Sequence, residues 1–254
     1  MKKVYIIITL FLFAYLTPVL AQTAEKKDEQ NPGQKITPKE EQVYIGVAGN
    51  LNSSWIFYQD TYGEPLLNYQ ITLRPAFNIQ VGYDWEYHWG FKAEIGYAML
   101  GQKYKDTQYG KPTTRNIKLN YLQIPFLFKY RTIGEKAKFY IQLGPQLNIL
   151  MSATQKYIRD GKTPPPYNNE FYGLIDVAKT EIIDRYTKVN CGLRLDLGVD
   201  VTLTSHLFLN IGLSTMYSMT NLKDQSWRFF LPTKDYHVSH SFYTGLNIGI
   251  NYIF

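Results

Sequence analysis

Apolar side chains recur at every second position along most of the chain from Val43 onward. In ITLRPAFNIQVGYDW, residues 71–85, large apolar residues alternate with Thr, Arg, Ala, Asn, Gln, Gly and Asp. A period of two is the pattern of a β-strand with one apolar and one polar face, whereas a helix repeats every 3.6 residues. Eight such segments occur, beginning near Val43, Ile71, Trp89, Asn116, Lys138, Tyr186, Leu207 and Val238. The pattern therefore predicts an all-β protein.

The connections between these segments alternate in length. Long polar segments follow strands one, three, five and seven, at residues 52–68, 103–115, 152–185 and 221–237. Short ones follow strands two, four and six, around Tyr87 and at residues 131–136 and 202–206. Outer-membrane barrels have an even number of strands, short periplasmic turns and longer extracellular loops. We therefore predict an eight-stranded antiparallel transmembrane β-barrel, an up-and-down meander with both termini on the short-turn side.

The polar face distinguishes a membrane barrel from a soluble β-protein, which would also alternate but with its apolar face inward. Here the polar face is rich in Gly, Asn, Gln and Ala, which fit inside a narrow cylinder. Aromatic residues make up 16% of the chain and gather at strand ends, as at Trp85, Trp89 and Tyr252. Trp and Tyr are enriched at membrane interfaces. We therefore expect the apolar face to contact lipid and the polar face to fill a closed lumen.

Charged residues also fall on the face predicted to point inward. They are Arg74, Lys92, Glu94, Lys118, Lys188, Arg194 and Asp196. An eight-stranded barrel is about wide enough for side chains to fill, and a charge in a low-dielectric interior requires a partner. We therefore predict a structural, salt-bridged network that holds the lumen shut, with a selective ion path as the alternative. A change of phase at residues 120–122 also predicts a β-bulge in the fourth strand.

The first 42 residues differ from the rest. Lys2 and Lys3 precede an apolar run, and small residues precede a cleavage position after Ala21, as in a secretory signal peptide. The run is shorter than the ~20 residues that a membrane-spanning helix needs. The polar stretch that follows predicts a flexible linker. The predicted domains are a signal peptide at 1–21, a periplasmic linker at 22–42 and an outer-membrane barrel at 43–254.

Composition argues against several function classes. The formal net charge of +6 is too small to indicate nucleic-acid binding. Cys191 is the single cysteine, so no disulfide can form within the chain. The sequence has no phosphate-binding or dinucleotide-binding motif, and His88 and His206 lie in separate turns without metal-ligand spacing. We expect no cofactor and no metal; the expected surroundings are outer-membrane lipid and lipopolysaccharide.

The segment HVSHSF contains histidine and serine at the rim of the last strand: His237, Ser239, His240 and Ser241. Small barrels that deacylate lipid A use a His–Ser pair with an acid. A serine nucleophile needs a base, and that base needs a carboxylate behind it. The sequence marks out no such acid, although three residues could approach: Asp184, Asp224 and Asp235. We therefore predict polar rim residues and no catalytic site.

Three segments carry a resemblance to a known family: GYAMLGQKY, NYLQIPFLFKY and YIQLGPQLNILMSA, with YLQIPFLFKY the most specific. They resemble the outer-membrane β-barrel domain of Bacteroidota that is often called PorT-like, over about residues 43–254. The resemblance implies the fold and the location but assigns no functional residue. A last strand ending in Tyr252 and Phe254 also resembles the signal that the outer-membrane assembly machinery recognises.

These patterns predict a monomeric outer-membrane protein that is not an enzyme. It would have a closed polar lumen and a structural or interaction role through long extracellular loops. Residues 152–185 are the main candidate for contact with a protein partner, because long loops on a rigid scaffold commonly carry binding; the alternative is that the long loops only shield the surface. Two alternatives stay open: an accessory component of the type IX secretion or gliding machinery, and a lipid A-modifying hydrolase.

Overall fold

A computed structural model describes residues 41–58, 68–85, 88–108, 110–169, 173–228 and 237–254. The predicted signal peptide and nearly all of the predicted linker lie outside these ranges. Within the described ranges, no helix is long and apolar enough to cross a membrane.

Eight long strands, β1–β8 in chain order, form one closed antiparallel ring. They are β1 Glu41–Phe57, β2 Leu73–Trp85, β3 Trp89–Gln108, β4 Lys111–Arg131, β5 Ala137–Arg159, β6 Val189–Thr202, β7 Leu207–Ser218 and β8 His240–Ile253. Each strand pairs with its neighbours in sequence, and β1 pairs with β8, with Gly46 opposite Asn251. The pairing of first and last strands closes the ring, which confirms the predicted eight-stranded barrel.

The period of two in the sequence separates the inside of the barrel from the outside. On β8, Tyr243, Asn247 and Asn251 are buried, whereas Ile248 and Ile250 are exposed. The same alternation holds on the other strands, so the exposed surface carries a continuous band of apolar side chains. We call this band the apolar belt.

Aromatic side chains border the apolar belt at both ends. At the short-turn end, the Trp89 ring lies 4.9 Å from that of Tyr130. At the other end, Trp55 lies 5.7 Å from Phe242. Phe242 and Tyr252 are ten positions apart on β8, which at ~3.3 Å per residue and a tilt of about 40° corresponds to a height of about 25 Å. This is the height of the apolar band in transmembrane barrels.

Four strands are longer than predicted. A membrane-spanning strand needs ~9–11 residues, whereas β1, β3, β4 and β5 have 17, 20, 21 and 23. β1 continues to Phe57, into the predicted connection at 52–68. β3 and β4 run through residues 103–115, which were predicted to be a loop, and meet at a tight turn where Gly110 has a φ of +72°. Such a φ favours glycine. We call the parts beyond the belt, residues 101–108, 111–120 and 152–159, the outer sheet.

Both free edges of the outer sheet are covered by backbone. On the β3 side, the short strand Asn68–Gln70 pairs with residues 103–105. On the β5 side, the backbone N–H of Gln155 donates to Thr180 at 2.8 Å, and that of Ile182 donates to Ala153 at 2.9 Å. Uncovered edges invite pairing with other chains, so this arrangement protects a sheet that extends beyond the belt.

The predicted β-bulge occurs in the β4–β5 ladder, but its extra residue lies on β5. Asn120 is opposite Ser152, whereas Tyr121 is opposite Leu150. Met151 is therefore left without a partner in this ladder, and the phase of the side chains changes on β5. β4 keeps one phase throughout. The prediction of a phase change within the fourth strand was therefore wrong.

An apolar core fills the end of the barrel that carries the long connections. Buried barrel residues include Leu100, Ile117 and Leu150, and two segments folded into the mouth add Ile182 and Leu222. We call these segments, residues 176–187 and 219–228, the cap. They contain the 3₁₀ helices Ile183–Arg185 and Gln225–Trp227. The prediction of a polar lumen is therefore wrong for this end, because the cap brings apolar side chains into the mouth.

Candidate functional site in the barrel interior

Four charged residues meet in the middle of the lumen: Lys92 and Glu94 on β3, and Arg194 and Asp196 on β6. Each pair is two positions apart on one strand, so both of its side chains point to the same face. Arg194 lies 2.8 Å from Glu94 and 2.8 Å from Asp196, and Lys92 lies 2.7 Å from Glu94. All four are almost completely buried. We call this group the central network.

The central network is balanced in charge, with two cations and two carboxylates. One of its carboxylates also accepts a hydrogen bond from a neutral side chain, because the Asn78 amide donates to Glu94 at 2.6 Å. Moving an ion from water into the protein interior costs roughly several kcal/mol. This cost is offset only when oppositely charged partners and hydrogen bonds surround the ion. Arg194 meets this condition through Glu94, Asp196 and the hydroxyl of Ser214, at 3.3 Å. The arrangement therefore fixes two opposite walls of the barrel to each other.

A second charged group lies near the short turns, and the sequence analysis missed it. Lys129 Nζ is 2.7 Å from Asp200 and 3.4 Å from Asp84, and Arg131 is 2.7 Å from Asp84. It too has two cations and two carboxylates. All four residues lie at inward positions of the strand alternation, so a complete count of those positions in the sequence would have found them. We call it the turn-end network.

Amide side chains extend the central network through the lumen. Gln80 donates to Asn251 at 2.6 Å, Asn251 donates to Asn210 at 3.0 Å, and Asn210 donates to Asn247 at 2.6 Å. Asn247 in turn donates to Asn50, which donates to Asn78 at 3.4 Å, the residue that binds Glu94. Buried polar groups are stable when they are hydrogen-bonded. The amides and the central network thus form one hydrogen-bonded chain.

The structure separates the seven residues predicted to form the lumen network. Four of them, Lys92, Glu94, Arg194 and Asp196, lie together in the central network. Arg74 is only partly buried, and it donates to Asn116 at 2.8 Å, outside the central network. The inward placement of Lys118 was wrong: its side chain is exposed on the outer face because β4 has no phase change. The placement of Lys188 was also wrong, because it precedes β6 and its side chain is exposed.

A small cavity lies beside the central network. A cavity lined by Asn50, Asn78, Glu94 and Arg194 has a volume of about 10 Å³, about enough for one water molecule. A methyl group at Gly82 would overlap the ring of Tyr44, so glycine there makes room for the larger side chain. In the part of the chain that the structure describes, no group of three or more His, Cys, Asp or Glu residues could hold a metal ion.

The histidines and serines of the rim have other partners. The Ser239 hydroxyl donates to the carbonyl of Tyr58 at 2.7 Å. His240 faces outward, with Nδ1 at 2.8 Å from the carbonyl of Ser218 and its ring stacked on Tyr217. His237 is exposed and stacks on Tyr58. The hydroxyl proton of Ser239 is therefore directed at a backbone oxygen.

The carboxylates considered as catalytic acids are also engaged where they are described. Asp184 forms an exposed ion pair with Lys179 at 3.0 Å. Asp224 caps the 3₁₀ helix Gln225–Trp227, and hydrogen bonds from the hydroxyl and backbone N–H of Ser226 hold the pKa of Asp224 below its usual value. Asp235 lies outside the described residues.

The residues predicted to form the assembly signal lie at the seam between β8 and β1. Tyr252 and Phe254 are exposed, and their rings meet edge to face with centroids 5.3 Å apart. The backbone N–H of Phe254 donates to the carbonyl of Val43 at 3.0 Å. Phe254 therefore extends the aromatic border of the belt by one residue beyond β8.

Several solved outer-membrane proteins are similar to this chain in structure. Neisserial surface protein A is 14% identical, with a TM-score of 0.46, over 84% of this chain and 97% of that one. OprG from Pseudomonas aeruginosa is 12% identical, with a TM-score of 0.38, over 85% and 96%. Ail, the attachment invasion locus protein of Yersinia pestis, is 13% identical, with a TM-score of 0.36, over 84% and 97%.

Sequence comparison identifies the family. No curated protein matches the chain by sequence. The family described as "Outer membrane protein beta-barrel domain" matches residues 21–224, which is most of the chain. The apolar belt and its two aromatic borders agree with an outer-membrane environment in which the barrel contacts lipid. The chain therefore belongs to the outer membrane protein beta-barrel domain family.

Proposed function

We propose that this protein is a sealed outer-membrane barrel with a structural or interaction role rather than a channel or an enzyme. It would be exported by the predicted signal peptide, act as a monomer and present its cap and outer sheet to the cell exterior. The observation that carries this proposal is the lumen, in which two charge-balanced networks and the amide chain leave a cavity of about 10 Å³.

The filled lumen argues against conduction on physical grounds. An ion passing the central network would have to displace Lys92 or Arg194 from carboxylates at 2.7 and 2.8 Å. Breaking a buried pair without replacement costs about 3–5 kcal/mol. Above the network, the cap packs Ile182 and Leu222 against Leu100 and Ile117 in the mouth of the barrel, which adds a second barrier. Each layer alone is a barrier, and they lie in series.

Conductance in planar lipid bilayers tests the sealed lumen. The protein without its first 21 residues should insert and give no steady conductance. Because the barriers lie in series, the charge-neutral variant Arg194→Ala/Asp196→Ala, which removes one buried pair, should also remain silent, as should Lys111→Ala/Asp160→Ala, which removes an exposed pair 2.6 Å apart. A steady open state of the unmodified protein would contradict the proposal.

The interaction role can be tested by crosslinking in intact outer membranes. A photo-reactive residue at Leu174, which is 68% exposed in the long connection between β5 and β6, is compared with one at Ile133, which is 70% exposed in a short turn. We expect a discrete protein adduct from the first position only. An adduct that contains a component of the type IX secretion or gliding machinery would favour that alternative, which the PorT-like resemblance raises. The same adduct at both positions would contradict a role specific to the long-connection end.

A further inference from the structure

Three exposed lysines lie just beyond the apolar belt on neighbouring strands. On these strands the apolar belt ends at Met99, Leu122 and Met151, and one further outward apolar residue, Ile158, lies beyond Lys156 on β5. The next outward cation on each strand lies four or five positions farther on: Lys103 on β3, Lys118 on β4 and Lys156 on β5. At ~3.3 Å per residue and the usual tilt, that distance is about 10 Å above the edge of the belt. This is the depth of lipid headgroups.

The pairing of the strands places the three lysines around one point. Asn116 is opposite Lys103 on β3 and opposite Lys156 on β5. Lys118 lies two positions along β4 from Asn116, diagonal to both of the other lysines. Diagonal neighbours in a sheet are ~7–8 Å apart and within reach of long side chains. We call these three residues the lysine cluster.

The lysine cluster has no carboxylate partner among the described residues. The exposed ion pairs there are Lys111 with Asp160 and Lys179 with Asp184, and neither involves the cluster. Like charges placed side by side on a sheet destabilise it. Among the described residues, the exposed Glu181 forms a β-bridge with Thr154, which is opposite Lys118. One carboxylate beside three lysines leaves an excess of positive charge, which suits an anion bound from outside the chain.

The opposite side of the rim has a different composition. At the same level, the described outward residues of β7, β8 and β1 are aromatic or neutral, with Tyr217, Phe242, Trp55 and Phe57 in contact or close to one another. The cations are thus concentrated on one side of the rim, on β3–β5 and at Lys188 just before β6, instead of forming an even ring. An even ring of cations would indicate a general attraction to an anionic membrane surface. Cations gathered on one side of the rim indicate a single bound molecule.

Below the lysine cluster, the wall of the barrel has a shallow apolar groove. Its volume is about 750 Å³, and its lining includes Val47, Gly49, Ile79, Ile95, Tyr97 and Leu122. Gly49 is an outward position without a side chain, which deepens the groove between Phe77 and Ile248. Tyr97 and Leu122 form the margin on β3 and β4, the strands that carry Lys103 and Lys118. The groove is centred on β1 and β2, and only this margin lies below the lysine cluster.

We propose that the lysine cluster and this groove bind one phosphorylated glycolipid of the outer leaflet, the lipid A part of lipopolysaccharide, with its phosphates on the lysines and an acyl chain in the groove. The inference rests on the proposed orientation, with the outer sheet at the cell exterior. A soluble anion would use the lysines alone. The location of the cluster at headgroup depth, above the margin of an apolar groove, favours a lipid.

Titration of the detergent-solubilised protein with diphosphoryl lipid A, followed by native mass spectrometry, tests the inference. Lys103→Gln/Lys118→Gln/Lys156→Gln should weaken binding by about five-fold per lysine and by roughly 100-fold together, as for basic residues at an anionic membrane surface. The control Lys136→Gln/Lys162→Gln/Lys179→Gln removes the same charge from exposed positions elsewhere and should bind as the unmodified protein does. Heat-modifiable gel mobility checks that all variants are folded.

Three results would overturn the inference. Equal weakening in both triple variants would mean that net charge alone attracts the lipid. Equal binding of lipid A without its phosphates would exclude phosphate recognition. Competition by inorganic pyrophosphate at the concentration at which lipid A saturates would identify a soluble anion as the ligand. Binding in detergent does not depend on orientation or conductance, so failure of the proposed function would be recognised separately.

Discussion

Arg194 on β6 lies 2.8 Å from Glu94 on β3, although the two residues are 100 positions apart in the chain. Their strands are not neighbours in the ring, so the ion pair crosses the lumen and joins two walls that share no backbone hydrogen bonds. Because Arg194 also binds Asp196, loss of Glu94 would leave two buried cations with one carboxylate. The pair thus links the stability of the barrel to the closure of its lumen.

We expect Glu94→Gln to lower the free energy of unfolding by about 3–5 kcal/mol, as for a buried pair that loses one partner. The double variant Lys92→Met/Glu94→Gln removes one cation as well, restores the charge balance and should recover a large part of the loss. Urea titration of refolded protein in lipid vesicles, followed by tryptophan fluorescence, measures both. A double variant no more stable than Glu94→Gln would show that charge balance is not what the network contributes.

The fold could be predicted from the sequence because each membrane-spanning segment must alternate between lipid and lumen. The ends of the strands could not be predicted from the sequence. Beyond the belt, the outward face of the outer sheet meets water, so Lys103 and Lys105 replace the apolar residues that mark a strand, and the segment has the composition of a loop. The inward face still alternates there, through Gln102 and Tyr104, but this signal is weaker.

Part of the lumen site could be predicted for the same reason. Lys92, Glu94, Arg194 and Asp196 lie on strands of uniform phase, and counting positions places them inside. Lys118 was misplaced because a phase change on β5 was assigned to β4. Which inward residues meet across the lumen depends on the tilt and stagger of the closed ring, and that information is not contained in any single strand.

Insertion of epitope tags tests which end of the barrel is outside. Tags after Thr163 and Gln225, in the long connections, should be reached by antibody on intact cells. A tag after Glu135, in the short turn between β4 and β5, should be reached only after the outer membrane is permeabilised. The physical basis is that the periplasmic turns of such barrels are short. Labelling of the Glu135 tag on intact cells would reverse the orientation.

Substitution of Phe254 separates recognition during assembly from stability. Phe254→Asp places a carboxylate at the aromatic border, where it costs about 0–1 kcal/mol, so the stability of protein refolded in vitro should change little. If the assembly machinery recognises Tyr252 and Phe254, the amount of folded barrel in cells should nevertheless fall several-fold. Phe91→Asp makes the same change in the same border and should have a much smaller effect. Equal losses in cells from both variants would contradict recognition.

The rim serine offers the sharpest test between a scaffold and a lipid A hydrolase. A nucleophilic serine must give its proton to a base, but the Ser239 hydroxyl donates to the carbonyl of Tyr58 at 2.7 Å. The ring of His240 faces outward and bonds with the carbonyl of Ser218. Asp224 is held by Ser226. Each group that the reaction needs therefore has a structural partner that would have to be displaced.

We therefore expect His237→Ala and Ser239→Ala to leave the acylation of lipid A unchanged. The measurement is mass spectrometry of lipid A from a deletion strain complemented with the unmodified protein or with either variant. Ser241→Ala is measured beside them, because Ser241 is the other serine of this rim, two positions along the same face of β8. A gain of one acyl chain on deletion that persists with His237→Ala or with Ser239→Ala would favour a deacylase. The hydrogen bond from Ser239 to Tyr58 would then have to break during the reaction, and the prediction that these rim residues have only a structural role would be wrong.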